Sequence, residues 1–151
     1  MHIRRAVADE ADAIAGVWLA SRKAAAPEIL LPVHSDDEVG TWLREVVVVS
    51  REVWVGEEGG DLVAVLVLDG DWIDQLYVAP GRTGGGIGGE FITVAKRQRP
   101  AALRLWTFAA NVRARHFYER HGFVATSMTA GDNEENAPDI RYEWSPSPLT
   151  D

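Results

Sequence analysis

The 151-residue chain has no cysteine, only two methionines, no apolar run long enough to cross a bilayer, and fewer basic than acidic side chains. Each shortage excludes something. Without cysteine the chain forms no disulfide, offers no thiolate nucleophile, and gives no sign of an oxidising compartment. A membrane helix needs about 20 consecutive apolar residues, and Asp9, Glu10 and Asp12 interrupt any secretory core near the N-terminus. A cytoplasmic protein with no membrane partner is therefore expected. Fifteen Lys or Arg against 23 Asp or Glu give a net charge of −8, which argues against nucleic acid as a partner.

What remains is ordinary soluble material, 46% hydrophobic and 25% charged. Its length suits one domain, expected over residues 1–145, with 146–151 as a frayed Pro-rich tail. The charge is segregated. Between Arg82 and His121, eight Lys or Arg face two acids, a surplus of six positive charges that leaves the rest of the chain at −14. Such a split fits a polyanionic small molecule on one side and a cationic one on the other.

Glycine is concentrated where that basic segment begins. Residues 76–99 read LYVAPGRTGGGIGGEFITVAKRQR, with five glycines between Gly84 and Gly89. An alternating strand runs into a bare loop, and then Ile87, Phe91, Val94 and Ala95 follow at helical spacing. A strand, a glycine turn and a helix N-terminus together make an anion site, because the first-turn amides lack helical partners and glycine lets an anion approach the backbone. Gly84, Gly86 and Gly89 also satisfy G-x-G-x-x-G, the dinucleotide fingerprint.

The surrounding elements decide against a dinucleotide. Residues 2–6 read as a strand, followed by a helix capped at Asp9 with Ala13, Ile14, Val17, Trp18 and Ser21 along one face. Pro27 and Pro32 bracket a loop, and a second helix from about Ser35 turns Val39, Trp42, Leu43 and Val46 inward. The valines of residues 46–49 suit either a strand or a helix end. Residues 52–57 and 62–68 form a hairpin about Gly59-Gly60, and Asp69-Gly70-Asp71 leads into a strand at 72–78. After the glycine loop come a strand at 103–108, an Asn111-capped helix closed by Gly122, and strands at 123–128 and 140–144. The order β-α-α-β-β-β-α-β-α-β-β predicts an α+β fold with a mostly antiparallel sheet flanked by helices. A nicotinamide-binding unit needs an acid closing the next parallel strand, and that strand ends Trp106-Thr107-Phe108-Ala109-Ala110. A P-loop needs Lys and Ser or Thr after its last glycine, where Glu90 stands.

These residues resemble the GNAT superfamily of acyl-CoA-dependent N-acyltransferases. The run Leu76-Tyr77-Val78-Ala79-Pro80 with Gly84-Gly85-Gly86-Ile87-Gly88 is similar to its strand-loop-helix motif for the CoA pyrophosphate, and NVRARHFYERHGF (111–123) is similar to its second motif. The resemblance covers roughly residues 2–144 and implies an N-acetyltransferase that takes acetyl-CoA as co-substrate, uses no metal, and accepts a small-molecule or peptide amine. It leaves room for a homodimer. The implied CoA contacts are Leu76, Tyr77, Val78, Arg82, Thr83, Gly84, Gly85, Gly86, Ile87, Gly88, Gly89 and Asn111. Thr83 stands where the family usually has Gln or Arg, and Gly85 where it has a basic residue; Arg82, one position early, is the nearest cation.

The resemblance also implies roles for the reaction: the Val78 N–H as oxyanion donor and Tyr118 as proton donor to the leaving thiolate. Read from the residues alone, Tyr118 is a core tyrosine and Asn111 a helix cap. Asp74 precedes Leu76 by two, so period-two alternation puts both on one sheet face and makes Asp74 the best-placed base; the plain alternative is an exposed strand carboxylate, with a water chain doing the work. His34 and the acidic loop Asp132-Asn133-Glu134-Glu135-Asn136 are further candidates near an acceptor, and equally read as surface. Trp42, Trp54, Trp72 and Trp106 are expected in the core, with one or two lining an acceptor pocket. A non-catalytic acyl-CoA-binding module on the same fold is the rival reading.

Overall fold

A computed structural model describes residues 1–24, 36–47, 50–131 and 137–146. Strands β1 (His2–Arg5), β2 (Glu52–Glu58), β3 (Asp61–Asp69), β4 (Trp72–Val78), β5 (Leu103–Phe108), β6 (Val124–Met128) and β7 (Asp139–Trp144) form one seven-stranded sheet in the order β1-β2-β3-β4-β5-β7-β6. Every neighbouring pair is antiparallel except β4 and β5. Parallel neighbours require a crossover, and helix α3 (Ile87–Gln98) supplies it. Helices α1 (Ala11–Ala24) and α2 (Asp36–Trp42), the latter running into a π-helical turn Leu43–Val47, precede β2; α4 (Val112–Arg120) follows β5. The element order and the mostly antiparallel sheet agree with the sequence reading.

The sheet has a core on each side. β3 is apolar from Leu62 to Leu68 because both its faces are covered: Val65 and Val67 pack with Ile14, Val17 and Trp18 of α1, while Leu66 and Leu68 pack with Phe91, Ile92 and Ala95 of α3. Phe91 is fully buried, a contribution of roughly 2 to 3 kcal/mol.

Several local expectations need correction. Asp9 is not the cap of α1. The chain enters through a 3-10 turn, Ala8–Glu10, and the Glu10 carboxylate accepts from the Val7 N–H at 2.9 Å while pairing with Arg4 at 2.7 Å. On α1 the buried positions include Ala11 and Ala15, whereas Ala13 faces solvent. The four tryptophans expected inside are not buried. Trp42 is 36% and Trp106 43% exposed, Trp54 and Trp72 are half-buried, and Trp18 is the deep one at 4%. Trp106 alternates with buried Leu103 and Leu105 on β5, so it lies on the sheet face away from α3 and α4. The loop carrying Pro27, Pro32 and His34, the side chains of Val39 and Val46, residues 48–49, the acidic run 132–136 and residues 147–151 lie outside the described residues.

Candidate active site

β4 and β5 meet at their starts and then part. Among the described residues one Cα pair joins them, Trp72↔Arg104, with the Arg104 N–H on Asp71 C=O at 2.9 Å. On its other side β4 stays paired with β3 as far as Val78, and Ala79 N–H donates to Val63 C=O at 2.8 Å. Backbone groups in an antiparallel pair alternate sides. Since Ala79 turns its amide to β3, Leu76 and Val78 turn theirs to the side where β5 has diverged.

α4 lies across this opening. Asn111 caps it, accepting the Ala114 N–H at 3.1 Å. The opening holds two cavities. The smaller, about 430 Å³, is lined by Asp74, Leu76, Tyr77, Asn111, Tyr118, Trp72, Trp106, Phe108, Arg22 and Asp139, among others. The larger, about 870 Å³, is lined by Leu76, Val78, Thr83, Gly84, Gly86, Gly88, Gly89, Asn111 and Tyr118, with Arg113, His116, Arg120 and His121. Four residues line both: Leu76, Asn111, Ala114 and Tyr118.

The glycine loop serves two purposes. Gly84 and Gly86 have φ of +86° and +87°, a left-handed conformation that disfavours a side chain, and no atom lies within 4 Å of a Cβ built on either. Gly86 precedes α3, whose first helical bond is Glu90 N–H to Gly86 C=O at 3.1 Å. The amides of Ile87, Gly88 and Gly89 thus precede the helical ladder. Gly88 and Gly89 are different. A Cβ on Gly88 would sit 3.0 Å from the Phe117 ring, and one on Gly89 3.2 Å from His121, so these glycines let α3 approach α4. Gly88→Ala is therefore expected to destabilise by about 1 to 3 kcal/mol, the usual scale of overpacking. The added Phe117→Leu should recover part of that, a non-additivity read from thermal melts of the two single variants and the pair. Additive effects would refute the packing role. If the loop holds the CoA that the resemblance implies, Gly86→Val should instead weaken its binding in calorimetry, through a φ that valine rarely adopts.

Three of the expected phosphate contacts do not line the larger cavity. The Arg82 guanidinium is paired with Glu58, the Ile87 side chain belongs to the core, and Gly85 lies outside the lining. The same cavity is lined by Arg113, His116 and Arg120, which the sequence reading did not single out. Their spacing of i, i+3 and i+7 was the available signal. No hydrogen bond or ion pair joins Arg113 or Arg120 to another described residue, in a chain whose acids outnumber its bases.

Tyr118 packs edge-on against Phe117 and Phe123, with centroids at 5.1 and 5.7 Å. Burial, with Tyr77 nearby, pushes its phenol well above the ordinary value, so it stays protonated at neutral pH. No described residue hydrogen-bonds its hydroxyl, which belongs to a side chain lining both cavities.

Asp74 is at the cavity, but the alternation argument for it fails. Register jumps from Val67↔Gln75 to Leu68↔Ile73, so Asp74 is the extra residue of a β-bulge. Ile73 and Leu76, three apart, consequently share one core. The Asp74 carboxylate instead faces Arg51, whose Nε lies 3.9 Å from its Oδ2. Burial raises its pKa, Arg51 opposes that rise, and Asp69 adds to it. Trp72 and Trp106, stacked with centroids 6.3 Å apart, wall the same cavity.

Comparison with known proteins agrees with this geometry. The profile of the Acetyltransferase (GNAT) domain matches residues 49–125. A probable N-acetyltransferase of Mycobacterium tuberculosis, Rv2775, is 34% identical over 85 residues, 51% of this chain; the match spans about half (49%) of that protein's length. The peptidyl-lysine N-acetyltransferase YiaC of Escherichia coli is 30% identical over 94% of this chain and 95% of its own. Among solved structures, yncA of Salmonella typhimurium, a putative acetyltransferase with its cofactor acetyl-CoA, superposes with a TM-score of 0.71 at 17% identity, covering 100% of this chain and 96% of its own. No helix among the described residues is long and apolar enough to cross a membrane. A parted β4 and β5, a glycine loop opening α3 and an Asn-capped α4, together with 30% identity along nearly the whole chain, lead to one conclusion: the chain belongs to the GNAT family of N-acetyltransferases.

Proposed function

We propose that this chain moves an acetyl group from acetyl-CoA to a primary amine of a small molecule or peptide, by direct attack in a ternary complex. The observation that carries the reading is that two cavities share Leu76, Asn111, Ala114 and Tyr118, so two reactants would meet at one wall. The residues of the larger cavity fit CoA. The amides of Gly88 and Gly89 and the open Gly84 and Gly86 suit its pyrophosphate, while Arg113 and Arg120 bring side-chain charge that Thr83 and Gly85 lack. The unpaired edge at Leu76 and Val78 suits the pantetheine amides, as a strand edge suits an added peptide.

Acetyl-CoA supplies an activated acyl thioester; the remaining work falls to this chain. The lack of cysteine rules out a thioester intermediate on the chain, which supports direct attack. Val78 N–H, turned to the opening, donates to the thioester oxygen as charge builds there. Tyr118, held protonated by burial, gives its proton to the sulfur as the C–S bond breaks and regains one from the nitrogen, which sheds its second proton once the N–C bond has formed. An alkyl amine with a pKa of about 10.4 is almost wholly charged at neutral pH, and supplying its free base costs roughly 4 to 5 kcal/mol. Asp74, whose pKa burial raises and so brings nearer to that of the amine, is the proton acceptor for this step.

The name of the Escherichia coli relative makes a lysine side chain one acceptor to try. The test is thiol release from acetyl-CoA across polyamines, aminoglycosides, amino acids, peptide N-termini and lysine-containing peptides. Amine-dependent release with at least one class is the expected result. CoA binding without release for any of them would leave a non-catalytic acyl-CoA module as the reading.

A further inference from the structure

Arg51 lies just before β2, tethered by its own N–H to Val47 C=O at 2.9 Å. Its Nε sits 3.4 Å from Asp69 Oδ2 at the end of β3 and 3.9 Å from Asp74 Oδ2 on β4. The group is half-buried, the side chains of Arg51 and Asp74 being 26% and 32% exposed. Arg51 Nε and Asp74 Oδ2 are both shut off from solvent and make no hydrogen bond. Two carboxylates thus share one guanidinium by charge alone. The bulge at Asp74 creates this arrangement, since regular alternation does not bring residues 69 and 74 to the same cation.

We propose that Arg51 is the positioning residue for Asp74, holding its buried oxygen and leaving the other to the acceptor cavity, with Asp69 competing for the same guanidinium. The proposal rests on the reading of Asp74 as proton acceptor. Arg51 then favours the ionised Asp74 and Asp69 disfavours it, so the two neighbours pull the working pH of the site in opposite directions. Arg22 from α1, Asp139 from β7, Tyr77 beside it on β4 and Tyr118 from α4 are the other titratable groups lining the cavity. They are common to every variant below, so differences between variants report Arg51 and Asp69.

The test is the pH profile of kcat on the full chain, with the same amine acceptor at saturation throughout, so that its own ionisation contributes equally to every variant. Arg51→Gln should move the acidic limb up by about 1 to 2 pH units, the usual effect of a nearby opposite charge. Asp69→Asn should move it down, and Arg51→Lys should restore a near wild-type limb. A purely structural role would lower the rate without moving the limb. Should Arg51→Gln fail to fold, Asp69→Asn still decides the matter, because it removes only a charge at a half-exposed site. An unmoved limb in Asp69→Asn, or shifts of the same sign in Arg51→Gln and Asp69→Asn, overturns the proposal. If Asp74→Asn keeps the wild-type rate and profile, the proton-acceptor reading falls and this inference with it. A responsive Asp74→Asn beside unmoved Arg51 and Asp69 variants overturns this inference alone.

Discussion

Tyr118→Phe is expected to lower the maximal rate by about 10²- to 10⁴-fold, the range for a lost general acid, with CoA affinity nearly unchanged. The ring contacts with Phe117 and Phe123 survive the substitution, and the hydroxyl hydrogen-bonds no described residue. Removing it therefore leaves no described partner unsatisfied, and the stability change should not exceed roughly 1 kcal/mol. Melting temperature, CoA dissociation constant and maximal rate would be measured on one preparation. An undiminished rate would end the proton-donor role and leave a water in its place. A rate that falls only as the protein unfolds would return Tyr118 to the core.

Asp74→Asn should cost a similar factor, about 10²- to 10⁴-fold, and flatten the acidic limb of the pH profile. Its stability response should have the opposite sign. Burial raises the folded-state pKa of Asp74 above its unfolded value, so the carboxylate favours the fold in its protonated form. That advantage is complete below the unfolded pKa and is lost as pH rises through the folded one. At neutral pH the ionised group is a burden, and Asn should hold or raise the melting temperature there. A lower melting temperature at neutral pH, with activity lost in proportion, would mark the Arg51 contact as structural.

Much of the site was legible because it is built from local chain. The glycine loop follows β4 directly, and Asn111 caps the helix that carries Tyr118 seven residues later, so period and capping chemistry placed them without knowledge of the fold. Asp74 shows where such reasoning stops. Its alternation with Leu76 assumed an unbroken ladder, and a bulge depends on the partner strand as much as on β4. The same holds for Arg82, which carries a charge in the right stretch and spends it on Glu58, 24 residues away. Gly88 reads as part of an anion loop because a sequence cannot show that Phe117 lies against it.

The amino-acid sequence by itself determined the order of elements, the apolar strand β3, the anion-shaped turn and the absence of any thiol route. Each of these is a property of adjacent residues: alternation, spacing, φ freedom, or side-chain chemistry. Only the tertiary structure decided that β4 and β5 separate after one pair, that two cavities meet at Leu76, Asn111, Ala114 and Tyr118, and that Arg51 lies between two carboxylates. Those features join residues tens of positions apart, and their energies depend on burial and on distances that exist only once the sheet has paired and both cores have closed over it.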